Sequence, residues 1–170
     1  MQMKKTIEAG IVATSVMTAF SYALSAIENE NYREPPLLSG FVKGWLRKEN
    51  GIINYSGWPV HYTLGCTWAG VYTSFIKQFS HKISSRHAFL FGCVSGAIGV
   101  LTWKALFEHH PHPPKTAHRK FYRQLFAAHL LFAFSLARAY TFLHKENSPV
   151  RNSFIDSSMP SSTCQAFLRL

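Results

Sequence analysis

Residues 9–27 read AGIVATSVMTAFSYALSAI, nineteen positions without Asp, Glu, Lys, Arg or His. A soluble helix usually presents a polar face with charges every three or four residues. Here the only polar side chains are Thr, Ser and Tyr. A bilayer core about 30 Å thick takes roughly 20 helical residues, so the stretch has the length of a membrane span. Three more such runs follow. Gly51 to Ile76 has His61 as its only ionisable side chain apart from weak acids such as Tyr, and Ala88 to Trp103 has none. Gln124 to Ala137 is apolar except for His129. Phe121 to Leu143 reaches span length if Arg123 and Arg138 extend to the headgroups, as long cationic side chains near helix ends do. The expected spans are residues 7–27, 58–77, 87–107 and 121–143.

The rest of the composition agrees. At 170 residues the chain holds one domain. Phe, Tyr and Trp make up 15% of it, which excludes disorder over the whole length, and three cysteines are too few for a secreted disulfide scaffold. The mean hydropathy is near zero only because very polar loops offset the apolar runs. Lys4 and Lys5 before an apolar run, with small residues at Tyr22–Ala26, also suit a secretory signal peptide. Glu8 is unfavourable at that place, and the run exceeds a usual 7–15-residue signal core, so an uncleaved span is expected.

Lipid tails are as apolar as leucine, so helices associate in a membrane through small residues that let backbones approach. Gly92, Gly96 and Gly99 share one face of the third run. Gly10, Thr14, Thr18, Ser21 and Ser25 share one face of the first, and Thr63, Thr67, Gly70 and Ser74 one face of the second. These stripes predict bundle contacts. A hydroxyl-lined pathway is the alternative, although Ser and Thr can satisfy themselves on carbonyls one turn back.

In the first loop Glu34-Pro35-Pro36 suits a helix start, and Leu37, Leu38, Phe41, Val42, Trp45 and Leu46 repeat at helical spacing. A short helix over residues 36–49 is predicted, stopped near Gly51 and lying at the membrane interface or against the bundle's end. Prolines exclude regular helix within 108–120, and the Ser-rich tail, 146–170, is expected to be disordered. Lys and Arg divide nine against nine between the two sides of a four-span topology, so the positive-inside rule gives no decision by count. Lys4 and Lys5 ahead of the first span favour cytoplasmic termini.

An ionisable group inside a membrane is expensive and therefore a functional candidate. Glu8 is a candidate proton or ion relay. His61 and His129 lie toward the same side of an alternating bundle, as does the tract His109, His110, His112. Imidazole ligates zinc, copper or iron, and two facing histidines can hold a haem. Interhelical hydrogen bonds account for lone histidines equally simply. Cys66 and Cys93 act as small apolar residues and Cys164 stands alone in the tail. No P-loop, dinucleotide fingerprint or nucleophile elbow occurs. The net charge of +10 is spread over loops beside apolar spans, which fits anionic headgroups rather than nucleic acid.

The segment Gly10 to Thr18, with Ala13, Thr14 and Met17, resembles the first span of small bacterial inner-membrane proteins of the YagU type. His61-Tyr62 followed by Gly65, Gly70 and Tyr72 is similar to that group's second span. The resemblance covers spans one and two only. It implies a multi-pass protein of the bacterial inner membrane with no established activity.

The sequence thus predicts an all-α integral membrane bundle of four transmembrane helices with a short interfacial helix, over residues 1–145. The expected role is non-enzymatic and without a cofactor, acting in the lipid bilayer by packing with itself or another membrane protein through Gly10, Thr14, Thr18, Gly70, Gly92, Gly96 and Gly99. The alternatives are a redox or transport protein binding haem or a divalent metal through His61 and His129, or a proton-coupled carrier using Glu8.

Overall fold

The computed structural model describes residues 2–47, 51–79 and 83–145. The tail expected to be disordered, 146–170, lies outside the described residues. The described residues form helices and connecting turns: α1 (Gln2–Glu28), α2 (Glu34–Leu46), α3 (Gly51–Tyr55), α4 (Gly57–Phe79), α5 (Ser85–His109) and α6 (His118–Lys145).

Local chemistry sets the helix ends. Asn29 adopts a left-handed backbone, φ 53°, which lets the Glu30 N–H return to the Ser25 carbonyl at 3.2 Å and close α1. Pro35 and Pro36 occupy the first turn of α2, where missing N–H groups cost nothing. Arg47, also left-handed, ends α2 with its N–H on the Lys43 carbonyl at 2.8 Å. Gly51 therefore does not stop this helix; it opens α3. Ser84 caps α5, its hydroxyl accepting from the His87 N–H at 3.3 Å.

Among the described residues three helices are long and apolar enough to cross a membrane: α1 over Met3–Glu28, α5, and α6 over His118–His144. That makeup is compatible with a membrane protein. Helix α4 has comparable length, 23 residues, but its Thr, Tyr, Trp, Gly and His residues leave it less apolar.

Helix α1 packs between α4 and α6, and α6 packs on α5. The four long helices form an arc in the order α4, α1, α6, α5, whose two ends scarcely approach each other backbone to backbone. At one end the Phe91 ring bridges the gap, 5.8 Å from Trp68 and 5.0 Å from Tyr72 between centroids. At the other end α2 folds back against α4. Its Phe41 reaches across to Trp103 at 5.8 Å and Phe107 at 5.1 Å. Leu37 and Phe41 are buried while Trp45 is exposed, so the apolar face of α2 serves the bundle's end and only its last turn is free.

Close approach needs small residues. A Cβ on Gly57 would fall 1.9 Å from the Pro35 carbonyl oxygen, and one on Gly65 1.9 Å from Thr14 Oγ1. Those two glycines seat α2 and α1 on α4.

Candidate functional site

The gap between α4 and α5, closed by Phe91 below and α2 above, encloses a cavity of about 260 Å³. Its walls are mostly apolar and include the aromatic side chains of Trp68, Trp103 and Phe132. Leu64 and Ile98 stand at its rim, and both are about half exposed on the outside of the bundle (50% and 43%). The cavity therefore opens sideways, between α4 and α5.

Three ionisable side chains line it: Glu34 from α2, His61 from α4 and His129 from α6. All three are buried, Glu34 to 1% exposure. Glu34 Oε1 lies 2.7 Å from Ser21 Oγ of α1, and Gln124 Nε2 of α6 donates to that same Ser21 oxygen at 2.6 Å. The Ser21 hydroxyl is also 3.1 Å from the Met17 carbonyl. It has one proton, so it serves either that carbonyl or the carboxyl at any moment. Glu34 Oε2 and Gln124 Oε1 are buried without a hydrogen-bond partner. Burial raises the Glu34 carboxyl from 4.5 to about 7, and hydrogen bonds from Ser21, its own backbone N–H and Gln124 offset only part of that. Among the described residues no salt bridge to Glu34 occurs.

The histidine tautomers follow from their partners. His129 Nδ1 is 2.9 Å from the Leu125 carbonyl, which only accepts, so Nδ1 carries the proton and Nε2 keeps a lone pair. The ring lies over Gly99, where an added Cβ would meet Nε2 at 2.8 Å. His61 Nε2 is 3.0 Å from Thr18 Oγ1, whose own proton goes to the Thr14 carbonyl at 2.8 Å. His61 Nε2 therefore donates, and in the neutral ring Nδ1 is the free acceptor.

The other candidates lie elsewhere. Glu8 sits on the outer surface with Lys4 at 3.8 Å and shares a shallow groove between α1 and α6 with Arg138. It is not among the residues that line the cavity. His110 has both nitrogens engaged, Nε2 on the Phe41 carbonyl at 3.0 Å and Nδ1 accepting from the His112 N–H at 3.1 Å. His109 bonds the Ala105 carbonyl of its own helix at 2.9 Å. The His-Pro tract thus fastens α2 to the α5–α6 connection instead of presenting lone pairs. Thr116 Oγ1 on the Asn31 carbonyl at 2.8 Å and Lys120 on Glu30 at 2.8 Å hold the same connection to the first loop. Among the described residues no three His, Cys, Asp or Glu side chains come close enough to hold a metal ion. The cavity, at about 260 Å³, is also smaller than the roughly 300–1,000 Å³ that drug-sized ligands occupy.

The chain matches no family model, no curated protein and no solved structure.

The packing candidates divide. Gly10 meets Ala69 and Cys66 of α4, with a Cβ there falling 2.9 Å from Ala69 Cβ. Gly92 lies against Leu130 and Gly96 against Phe126 of α6, each at 3.0 Å from an added Cβ. Gly70 meets nothing within 4 Å. Thr14 bonds the Gly10 carbonyl at 2.7 Å.

Glu34 is the residue that sequence reasoning misses. In Glu34-Pro35-Pro36 an acid before two prolines reads as an ordinary helix start. Nothing local signals that the start is turned inward under α6.

Proposed function

We propose that the chain is a four-span protein of the bacterial inner membrane, α1, α4, α5 and α6 crossing the bilayer and α2 folded over one end. We also propose that it works as a non-enzymatic binding protein for a small lipid-soluble molecule. For the fourth span, α4 offers a helix of 23 residues, about 35 Å at 1.5 Å per residue, without Asp, Glu or Arg. Its outward residues Val60, Leu64 and Val71 are apolar. The type of membrane rests on the resemblance of the first two spans, and cytoplasmic termini on Lys4 and Lys5.

One observation carries the binding reading. A cavity that opens sideways between two long helices holds a buried carboxyl with an unpartnered oxygen. A buried polar atom without a partner costs about 1–3 kcal/mol, and a bound molecule that supplies the missing partner recovers that cost. The lateral rim at Leu64 and Ile98 faces the acyl chains of a surrounding bilayer, the route by which a lipid-soluble molecule arrives.

Two measurements test this. Single cysteines at Trp45 and Ser85, which flank α4 and are exposed, in a background lacking the native three, are labelled with an impermeant maleimide from each side of sealed vesicles. Four spans place these positions on opposite sides; labelling of both from one side contradicts the fourth span. For binding, the protein is extracted in lipid nanodiscs and examined by native mass spectrometry. The reading expects a bound small molecule in the wild type that Thr102→Trp, which fills the cavity, removes without changing helicity. Each protein appearing only at the mass of its own bare chain contradicts it.

A further inference from the structure

The only charge that the described residues lining the cavity bring besides imidazole is a carboxyl. Among the lining residues Glu34 has a buried oxygen without a hydrogen-bond partner, His129 keeps a lone pair on Nε2, the neutral His61 ring keeps one on Nδ1, and Thr14 has spent its proton on the Gly10 carbonyl. Of the lining side chains the Thr102 hydroxyl, a protonated Glu34 and the indole N–H groups of Trp68 and Trp103 have a proton to give, and none of these is a cation. Among the described residues no Lys or Arg lines the cavity. The occupant that satisfies such a wall brings donors and a positive charge. The aromatic side chains of Trp68, Trp103 and Phe132 line the same cavity. Aromatic faces attract cations through the ring quadrupole, and more strongly where water is excluded.

We propose that the cavity binds a lipophilic organic cation, a protonated amine on an aromatic or alicyclic body, entering between Leu64 and Ile98 and pairing its ammonium with Glu34. This deepens the binding reading and rests on it. The size of the cavity limits the body to one or two rings. The ammonium has three donors, which can be shared among Glu34 Oε2, His129 Nε2 and the His61 ring. The charge balance is explicit. Where Glu34 is protonated, the incoming R–NH3+ displaces its proton, giving a carboxylate–ammonium pair and one proton released. Cation and proton then compete for one carboxylate, so acid weakens binding. The groups around Glu34 bear on this competition. Ser21 and Tyr22 face it from α1, His61 from α4, and Gln124 and His129 from α6, while Arg33 precedes it and lies over the Tyr22 ring at 5.7 Å. From α5 the wall brings Thr102 and Trp103 and no charge.

The test uses three probes that share one ring and differ at the head: phenethylammonium, 2-phenylethanol and 3-phenylpropionate. Binding to the full chain in lipid nanodiscs is measured by calorimetry against empty discs, from acid to alkaline pH, for the wild type and Glu34→Gln. The expected result is an ammonium preference over the alcohol of about tenfold or more at alkaline pH. That preference shrinks as pH falls and is absent in Glu34→Gln, which still binds the alcohol. The alcohol binding both proteins as well as the ammonium does, at every pH, overturns the cation assignment and leaves the binding reading standing. Preference for the propionate overturns it in favour of an anion site. Failure of all three probes on wild-type protein that melts cooperatively overturns both. Should Glu34→Gln not fold, the pH dependence of the wild-type preference decides alone: a preference unchanged from acid to alkaline pH overturns the proposal.

Discussion

Ser21 Oγ and Glu34 Oε1 lie 2.7 Å apart, and this contact turns the start of α2 into the bundle's interior. The helix to which Glu34 belongs runs along the end of the bundle, with its last turn exposed. Its first residue is nonetheless buried to 1% exposure, because Gly57 lets α4 come under Pro35 and because Gln124 completes a chain of hydrogen bonds from α6 to α1 to α2.

A carboxyl raised from 4.5 to about 7 binds a proton more tightly in the folded state than in the unfolded one. Its stabilising contribution is therefore fully present below about pH 4.5 and is lost as pH rises through about 7. The size is on the order of 3 kcal/mol, at 1.36 kcal/mol per unit. The thermal midpoint of the wild type is expected to fall between pH 5 and 8. Glu34→Gln, neutral throughout, should lack this part of the slope. A wild-type profile parallel to that of the variant counts against the buried acid.

Replacing Ser21 by Ala removes the partner of both Glu34 Oε1 and Gln124 Nε2. Leaving buried polar groups unpaired costs about 1–3 kcal/mol each, so a lower midpoint is expected. The Ser21 hydrogen bond also lowers the carboxyl, so its loss moves the Glu34 titration to higher pH. Ser21→Cys, which keeps a weak donor in nearly the same volume, is expected to fall between the two proteins in both measurements.

Helix α5 rests on α6 through Gly92 and Gly96, where an added Cβ already comes to 3.0 Å of the neighbouring helix. Gly96→Leu forces the helices apart and is expected to cost about 1–3 kcal/mol or more. Gly70→Leu, with open space around it, should change the midpoint by no more than about 0.5 kcal/mol. Thermal melts of the two variants in one detergent compare them directly. Equal losses contradict the packing described.

His110 fastens the end of α5 to α2 through the Phe41 carbonyl, and His110 Cε1 occupies the place a Cβ on Gly44 would take, at 2.5 Å. His110→Ala and Gly44→Ala are each expected to speed amide hydrogen exchange across residues 34–46 while leaving α1 and α6 unchanged. Uniform protection in both variants contradicts the pin.

Much of this arrangement can be read in the sequence, and the unread part has a physical cause. Charge-free runs mark the long helices because burial against protein or lipid excludes charge along a whole segment. The stripe of Gly92, Gly96 and Gly99 is visible because helical spacing is local. His61 and His129 meet one cavity because consecutive long helices alternate in direction. Glu8 attracts attention by its place at the edge of an apolar run, but the helix turns it outward to Lys4. Exposed pairs of this kind contribute little. Glu34 is hidden for the opposite reason. Its neighbours in sequence describe a helix start, while its burial is decided by Ser21 and Gln124, the latter 90 positions away. The same holds for His110, whose ties to α2 make it a clamp where its sequence suggests a ligand.

The most direct test is an infrared titration of the protein in lipid nanodiscs, wild type against Glu34→Gln. The structure predicts a protonated-carboxyl C=O stretch that persists above pH 6, titrates near the value of about 7 given for Glu34, and is missing from the variant. A wild-type spectrum with no protonated carboxyl above pH 6, or one that keeps the same band in Glu34→Gln, would contradict the buried acid on which the cavity's chemistry depends.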